Sequence, residues 1–206
     1  MSKPATFWDD RFQADEYIYG AQPNDFVVDA AATWLDAPQE VLDLGVGEGR
    51  NAVYLAQQGH TVTAVDYSAQ GLRKTRRLAD EKGVQVETIE ADVREWVPDR
   101  DWDAIVVTFL HLPPAARPPL YRRLRASLRP GGVLIAEWFR PEQRTQNYTS
   151  GGPPDPNMMV TADELRTHFD EAGIEQMAIA EPILEEGMHQ GPAATVQFVW
   201  RRPHRS

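Results

Sequence analysis

The chain has 206 residues, a formal net charge of −10 at pH 7 and no cysteine. The lack of cysteine excludes disulfides, thiolate catalysis and cysteine-ligated metal centres, and the acidic balance disfavours a nucleic-acid-binding surface. With 42% hydrophobic and 25% charged residues, the composition is typical of one globular domain over 1–206. No membrane span or signal-peptide pattern is present. We therefore expect a cytoplasmic protein, a monomer or homodimer, whose partner is a small molecule and not a nucleic acid, a membrane or a metal.

The first part of the chain is rich in aromatic side chains, Trp8 and Tyr19 among them, but it shows no regular hydrophobic period. Residues 1–23 are predicted to form either a strap that packs its rings on the core or a lid that closes over a bound ligand. An amphipathic helix is predicted next, from Asn24 as N-cap to about Leu35.

The stretch VLDLGVGEGR, residues 41–50, has the pattern of a buried strand followed by a glycine-rich turn. Its glycines, Gly45, Gly47 and Gly49, permit a tight turn and a close approach of the backbone to a ligand, because a Cβ would block both. A helix is predicted over 51–58. Strand, turn and helix open a βαβ unit, which binds nucleoside cofactors at the carboxyl ends of its strands.

Acidic residues follow the next two predicted strands. The strand over 60–65 ends in Asp66, whose carboxylate is placed to accept hydrogen bonds from both hydroxyls of a ribose. The strand over 84–89 is followed by Asp92, which we expect to accept from the amino group of an adenine. Arg50 occupies the position where a dinucleotide fingerprint needs its third glycine, so the spacing disfavours a nicotinamide cofactor.

These features, taken in order, resemble the class I methyltransferases that use S-adenosyl-L-methionine. The resemblance implies that Asp43 and the glycines line the methionine end, that Asp66 holds the ribose, and that Asp92 with Val93 holds the adenine. It also implies a Rossmann-like α/β fold: a seven-stranded, mostly parallel sheet with an antiparallel last strand and helices on both faces. The candidate cofactor-binding residues are Asp43, Gly45, Gly47, Gly49, Arg50, Asn51, Asp66, Tyr67, Ser68, Asp92, Val93 and Trp8.

The rest of the chain continues the alternation of strands and helices. Further strands are predicted over 103–109, 133–138, 176–183 and 195–200, and further helices over 68–82, 115–128 and 161–172. The lysine and arginine residues of the helices over 68–82 and 115–128 are expected to face solvent. The last two strands are expected to pair antiparallel through the connection 184–193. The long loop 139–160, which contains GGPPDP, is predicted to cover the site.

Methyl transfer from a sulfonium is an in-line displacement that needs alignment and a dry pocket, and it needs a base only when the acceptor carries a proton. His111 follows the fourth strand, beside the expected methyl group, and is a candidate base or polar wall as well as a candidate structural histidine. His189, in the connection between the last strands, is able to reach the same end of the sheet. Leu112 replaces the Asn or Asp of the motif that methylates nucleic-acid amino groups, so that activity is disfavoured.

Four segments together resemble the tellurite-resistance methyltransferase family, whose relatives methylate thiols and thiopurines. They are WDDRF…YIYGAQPNDF, VLDLGVGEGR, FLHLPP and GGPPDP, and they span nearly the whole chain. The resemblance implies that Tyr19, His111 and His189 lie near a small-molecule acceptor. It is compatible with a soft nucleophile of tellurium, selenium or sulfur, but it does not fix the acceptor. A non-catalytic sensor of S-adenosylmethionine and an NAD-dependent oxidoreductase are the alternatives.

Overall fold

The computed structural model describes residues 4–204; residues 1–3, where the predicted strap begins, lie outside this range. The strands are β1 (Glu40–Leu44), β2 (Thr61–Asp66), β3 (Val86–Glu90), β4 (Trp102–Thr108), β5 (Leu128–Phe139), β6 (Ile174–Ala180), β7 (Ile183–Glu186), β8 (His189–Pro192) and β9 (Thr195–Arg201). The helices are α1 (Ala5–Arg11), α2 (Asp25–Trp34), α3 (Arg50–Gln57), α4 (Ala69–Lys82), α5 (Arg117–Ser127), α6 (Glu142–Thr145) and α7 (Ala162–His168).

Seven strands form one sheet in the order β3-β2-β1-β4-β5-β9-β6. Strands β1 to β5 pair in parallel, and β9 lies antiparallel between β5 and β6. This arrangement confirms the predicted fold class and the predicted pairing of the last two long strands. The strand order reverses between β1 and β4, and in open α/β sheets ligands bind at such a point, outside the carboxyl ends of the strands.

The two faces of the sheet explain the apolar run that predicted β1. Val41 packs with α2 and α3 on one face, whereas Leu42 and Leu44 pack with α5 and α7 on the other. Successive strand residues point to opposite faces, so a strand covered on both faces needs apolar residues throughout. The glycine turn therefore extends from the rigid centre of the sheet.

Local helix signals are borne out by the side chains. Asn24 accepts a hydrogen bond from the backbone N–H of Val27 at 3.0 Å and caps α2. Ser68 caps α4, and Thr161 accepts from the N–H of Glu164 at 3.1 Å to cap α7. Because N-caps are local interactions, the sequence is sufficient to locate these helix starts.

Several segments carry more regular structure than predicted. The N-terminal segment contains α1, the loop 139–160 contains α6 and a short 3-10 turn over 156–158, and the connection 184–193 contributes to a separate β7–β8 hairpin. Strand β5 begins at Leu128, before the Pro-Gly-Gly turn, because that turn forms an irregularity within the strand where its register against β4 shifts. Helix α7 ends at His168, earlier than expected.

The expectation that Lys74 faces solvent is wrong. Lys74 is 5% exposed, and its Nζ lies 2.6 Å from Oε1 of Glu48, in the glycine turn. The same ammonium donates to the carbonyls of Ala14 and Glu16 at 2.8 and 2.6 Å. Lys74 thus joins α4, the glycine turn and the N-terminal segment, three elements that are distant along the chain.

Arg117 is a second cation that was expected in solvent and is buried instead. Its Nε lies 2.7 Å from Oε1 of Glu164, and its Nη1 donates to the carbonyls of Leu112, Asn157 and Met159. These carbonyls belong to the segment after β4 and to the end of the long loop. Arg117 therefore fixes both segments against α5.

Within residues 4–204, no helix has the length and apolar character that crossing a membrane requires. The same part of the chain contains no group of three or more histidine, aspartate or glutamate residues arranged to hold a metal ion.

Candidate active site

The glycine turn after β1 has the tight, positive-φ backbone that its sequence predicts. Gly45, Gly47 and Gly49 have φ values of 75°, 58° and 92°, a region that L side chains rarely adopt. A Cβ at Gly49 would lie 2.7 Å from the side chain of Thr75, so this glycine also lets α4 pack closely on the turn. A substituent at Gly45 would meet Leu110 at 3.1 Å.

Asp43 lies at the carboxyl end of β1, next to this turn, and is 2% exposed. Its Oδ2 is buried and has no hydrogen-bond partner in the described structure. Burial raises the pKa of Asp43 to about 7, against the lowering effect of the Arg50 guanidinium. An acceptor atom buried without a donor is costly, and the ammonium at the methionine end of S-adenosylmethionine fits this position.

Asp66 ends β2 and faces the same crevice. Its Oδ2 accepts from the N–H of Gly47 at 2.9 Å and its Oδ1 from the N–H of Ser68 at 2.8 Å. Burial raises the pKa of Asp66, and these backbone hydrogen bonds oppose the rise. The carboxylate is thus held in one orientation between the glycine turn and the start of α4.

Tyr67, Trp8 and Asp92 lie together beside Asp66. Burial raises the pKa of Tyr67 to about 12; the charges of Asp66 and Asp92 add to the rise, and a hydrogen bond from Trp8 opposes it. Asp92 is engaged by Arg94, whose Nε lies 2.9 Å from both carboxylate oxygens. An adenine amino group at Asp92 would therefore share this carboxylate with Arg94. The neighbouring Val93 is 8% exposed and packs in the core.

Two of the candidate cofactor residues use their side chains within the protein. Asn51 accepts from the N–H of Asn24 and donates to Oγ1 of Thr108, both at 2.9 Å. The hydroxyl of Ser68 donates to Asp9 at 2.7 Å and accepts from an N–H of α4. These side chains hold α1, α2 and β4 around the site, and the expectation that Asn51 and Ser68 also contact a cofactor stays a prediction.

The N-terminal segment lies directly on the glycine turn. Phe12 is 3% exposed, and its ring lies 3.6 Å from the position that a Cβ of Gly47 would occupy. Asp9 accepts from the N–H of Gln70, at the start of α4, at 3.1 Å. The backbone N–H of Tyr19 donates to Glu48 at 3.1 Å. A strap and a lid would both make these contacts with the glycine turn and α4, so the contacts are compatible with either interpretation of the N-terminal segment.

The candidate catalytic residues Tyr19, His111 and His189 lie in one aromatic cluster together with Phe109 and Phe139. The ring centroids of Tyr19 and His189 are 4.6 Å apart, and those of Phe109 and Phe139 are also 4.6 Å apart. Phe139 further contacts His189 at 5.4 Å and His111 at 5.7 Å. The structure thus brings all three predicted residues to the carboxyl ends of β4 and β5.

The glycine pair of the long loop, Gly151 and Gly152, lies against this aromatic cluster. A Cβ at Gly151 would lie 2.5 Å from the ring of His189 and 3.0 Å from that of Phe139. At Gly152 it would lie 3.1 Å from Met159. Only glycine fits at these two positions, so close packing explains the glycine pair of the GGPPDP segment.

His111 is neutral in this environment. Its Nδ1 lies 3.2 Å from the carbonyl oxygen of Met158; because a carbonyl only accepts, the proton is on Nδ1 and Nε2 carries the lone pair. Burial lowers the pKa of His111 to about 3, and the hydrogen bond to Met158 opposes this only in part. His111 is therefore a weak base at neutral pH.

His189 is 8% exposed and lies at the start of β8. Its Nδ1 lies 3.8 Å from Oε2 of Glu186, beyond hydrogen-bond distance. Burial lowers the pKa of His189, and the charge of Arg50 adds to this against the opposing effect of Glu186. Burial also raises the pKa of Tyr19, although Arg11 donates to its hydroxyl at 3.0 Å and opposes the rise.

Sequence reasoning did not identify Phe109, Phe139 or Glu186. Phe109 has a φ of 51°, in the left-handed region, and no residue type near it signals this conformation. Phe139 was predicted as the first residue of the long loop, whereas it is the last residue of β5. Glu186 precedes Gly187 in a connection whose hairpin was not predicted, and only the fold shows that it reaches α3.

The comparisons with known proteins agree with this geometry. Residues 41–132 match a family described as a methyltransferase domain. Hemagglutinin 1 of Eikenella corrodens is 32% identical over 166 residues, covering 79% of this chain and 53% of its own length. The probable S-adenosyl-L-methionine-dependent methyltransferase TehB of Haemophilus influenzae is 30% identical over 53% of this chain and 38% of its own length. The chain thus spans about half, or less, of the length of these curated relatives.

Solved structures share the fold. TehB from Haemophilus influenzae superposes with a TM-score of 0.72 at 20% identity, over 87% of this chain and 62% of that chain. The N-methyltransferase NodS from Bradyrhizobium japonicum, solved with S-adenosyl-L-homocysteine, superposes with a TM-score of 0.68 at 14% identity, over 97% of this chain and 98% of that chain. Residues 41–132 therefore match a methyltransferase domain, and the chain resembles the class I, S-adenosylmethionine-dependent methyltransferases, including the tellurite-resistance protein TehB.

Proposed function

We propose that the protein transfers a methyl group from S-adenosylmethionine to a small acceptor whose nucleophilic atom is sulfur, selenium or tellurium and which binds as an anion. One observation carries the proposal: the aromatic cluster at the acceptor end lacks a group that is ready to take a proton. His111 and His189 have lowered pKa values, and that of Tyr19 is raised. An acceptor that reacts there has to arrive already deprotonated.

The bound cofactor supplies an electrophilic methyl group on a sulfonium. The residues of the chain would then bind and orient the cofactor and the acceptor, and they would exclude water from the site. Asp43 and the glycine turn would hold the methionine end, Asp66 the ribose, and Tyr67 with Trp8 the adenine. Each of these assignments rests on the crevice geometry described above.

At the acceptor end, the rings of Phe109 and Phe139 and the neutral imidazoles offer polarisable faces with little hydration. Desolvation of this kind favours large, weakly hydrated anions over oxygen nucleophiles, which lose strong hydrogen bonds to water on entry. Arg11, which donates to the hydroxyl of Tyr19, places a positive charge beside the cluster. The charge would attract an anion without supplying a base.

Cofactor binding is tested by calorimetry on the Asp66→Ala variant. Asp66 offers acceptors to the ribose hydroxyls, and the loss of such a contact costs about 1–3 kcal/mol, a 5- to 150-fold rise in the dissociation constant for S-adenosylhomocysteine. Asp80→Ala, on the exposed side of α4, is the control and should leave binding unchanged. Tighter binding of NAD than of S-adenosylmethionine by the native protein would overturn the cofactor assignment.

Acceptor chemistry is tested by pH–rate profiles of His111→Ala and His189→Ala. We expect both variants to bind the acceptor more weakly and to keep the shape of the native profile, because neither imidazole takes a proton from the acceptor. The acceptor used is the best of a panel of hydrosulfide, selenide, telluride, small thiols, alcohols and amines.

A rate loss of about 10²–10⁴-fold together with the disappearance of a pH limb near neutrality would identify that histidine as a general base. That result contradicts the soft-anion proposal and indicates oxygen or nitrogen methylation. Tight cofactor binding without turnover of any acceptor in the panel would instead favour the sensor function.

A further inference from the structure

An ion pair between Arg50 and Glu186 joins the glycine turn to the β7–β8 hairpin. Arg50 is the first residue of α3 and Glu186 the last residue of β7. Nη2 of Arg50 lies 2.7 Å from Oε2 of Glu186, with side-chain exposures of 9% and 10%. Taking two charges out of water costs about as much as their attraction returns. A gain in folding stability therefore does not explain why this ion pair is present.

The surroundings of the pair contain more negative than positive charge. The carboxylates of both Asp43 and Glu186 interact electrostatically with the same Arg50 guanidinium. The other oxygen of Glu186, Oε1, accepts from Asn24 at 3.0 Å, and the same amide nitrogen donates to the buried Glu137 at 2.8 Å. Among residues 4–204, no group donates a hydrogen bond to Oδ2 of Asp43. A ligand cation that donates hydrogen bonds would supply the donor that is missing at Oδ2 of Asp43.

We infer that Arg50 and Glu186 together form the receptor for the amino-acid end of the cofactor, Arg50 taking its carboxylate and Glu186, with Oδ2 of Asp43, its ammonium. The inference rests on the proposed function. The amino-acid end of the cofactor is a zwitterion. When it binds between Arg50 and Glu186, each of the four charged groups has a neighbour of opposite charge. It also provides the donor that Asp43 lacks.

This assignment has a structural consequence for the hairpin. Glu186 is followed by the Gly187–Met188 tip, where the N–H of Met188 donates to the carbonyl of Ile18 at 2.8 Å, and by His189 of the aromatic cluster. Binding of the amino-acid end at Glu186 would hold the hairpin, and His189 with it, over the acceptor end. The hairpin is then a cover whose order depends on the cofactor.

The test compares two ligands by calorimetry: S-adenosylhomocysteine and 5′-methylthioadenosine, which has the same adenosine and thioether sulfur but no amino-acid group. The Glu186→Gln variant keeps the size of the side chain and removes its charge. We expect it to lose about 10- to 150-fold in affinity for S-adenosylhomocysteine, the range for a lost hydrogen bond to a charged group. Its affinity for methylthioadenosine should stay unchanged.

Glu185→Gln is the matched control, because this neighbour lies on the same strand and is exposed; both affinities should equal those of the native protein. Equal losses for the two ligands in Glu186→Gln, or no loss for either, would overturn the inference and leave the proposed function intact. A native protein that binds neither ligand would overturn both.

A second measurement uses only the native protein and does not depend on how the variant folds. Amide hydrogen exchange over residues 183–192 should slow with S-adenosylhomocysteine and not with methylthioadenosine at equal saturation. Equal protection by the two ligands would show that the amino-acid end does not engage the hairpin.

Discussion

The free energy of unfolding is expected to fall by about 3–5 kcal/mol when Lys74 is replaced by alanine. The ammonium of Lys74 lies 2.6 Å from Glu48, whose side chain is only 2% exposed. Without Lys74 the Glu48 carboxylate is buried without its counter-charge, and the carbonyls of Ala14 and Glu16 lose their donor. Urea unfolding followed by circular dichroism measures the change.

Arg73→Ala is the matched control for this prediction. Arg73 precedes Lys74 on α4 and is exposed, and substitutions at such positions change stability by about 0.5 kcal/mol or less. The double variant Lys74→Met with Glu48→Gln should recover part of the loss, because it leaves no unpaired buried charge. Equal stabilities of Lys74→Ala and Arg73→Ala would show that the ion pair contributes nothing.

His111 is expected to make the folded state sensitive to acid. In the unfolded chain its pKa is about 6.5, whereas burial lowers the folded-state pKa to about 3. Between these values the unfolded state binds more protons, so the contribution of His111 to stability falls as the pH falls below 6.5. The limiting slope is about 1.4 kcal/mol per pH unit.

The contribution of His111 to the pH dependence of stability is measured by comparing the native protein with His111→Gln between pH 4 and 7. Asp43, whose folded-state pKa is raised to about 7, acts in the opposite direction in this window, and it is common to both proteins. The free energy of unfolding of the native protein minus that of His111→Gln should therefore fall as the pH is lowered from 6.5 to 4. The control is His204→Gln, at an exposed position. Parallel curves for the native protein and His111→Gln would contradict a neutral buried His111.

The sheet and the glycine turn were predictable because their signals are local. Strand β1 needs an apolar residue at nearly every position once both faces are covered, and the glycine turn needs residues that accept positive φ. Caps such as Asn24 and Thr161 act within three residues of themselves. Each of these requirements restricts the residue types within a short stretch of sequence, where it can be recognised.

The contacts around the candidate site were only partly predictable, because they join distant parts of the chain. Lys74 and Arg117 look like solvent-facing cations on amphipathic helices until the fold brings carbonyls and carboxylates to them. Arg50 and Glu186 are separated by 136 positions in sequence. The left-handed backbone of Phe109 follows from the surrounding packing, since phenylalanine itself disfavours it.

The contact between the N-terminal segment and the hairpin tip bears on how the protein is made. Arg11 donates to the sulfur of Met188, 177 positions later in the sequence. A ribosome that adds about 5–20 residues per second takes on the order of 10–35 s to cover that distance. During this interval the aromatic side chains of the emerging N-terminal segment have no hairpin to pack against. The glycine turn and strands β1 to β6 are translated in the meantime, so the residues of the nucleoside crevice leave the ribosome before the hairpin that lies over the aromatic cluster.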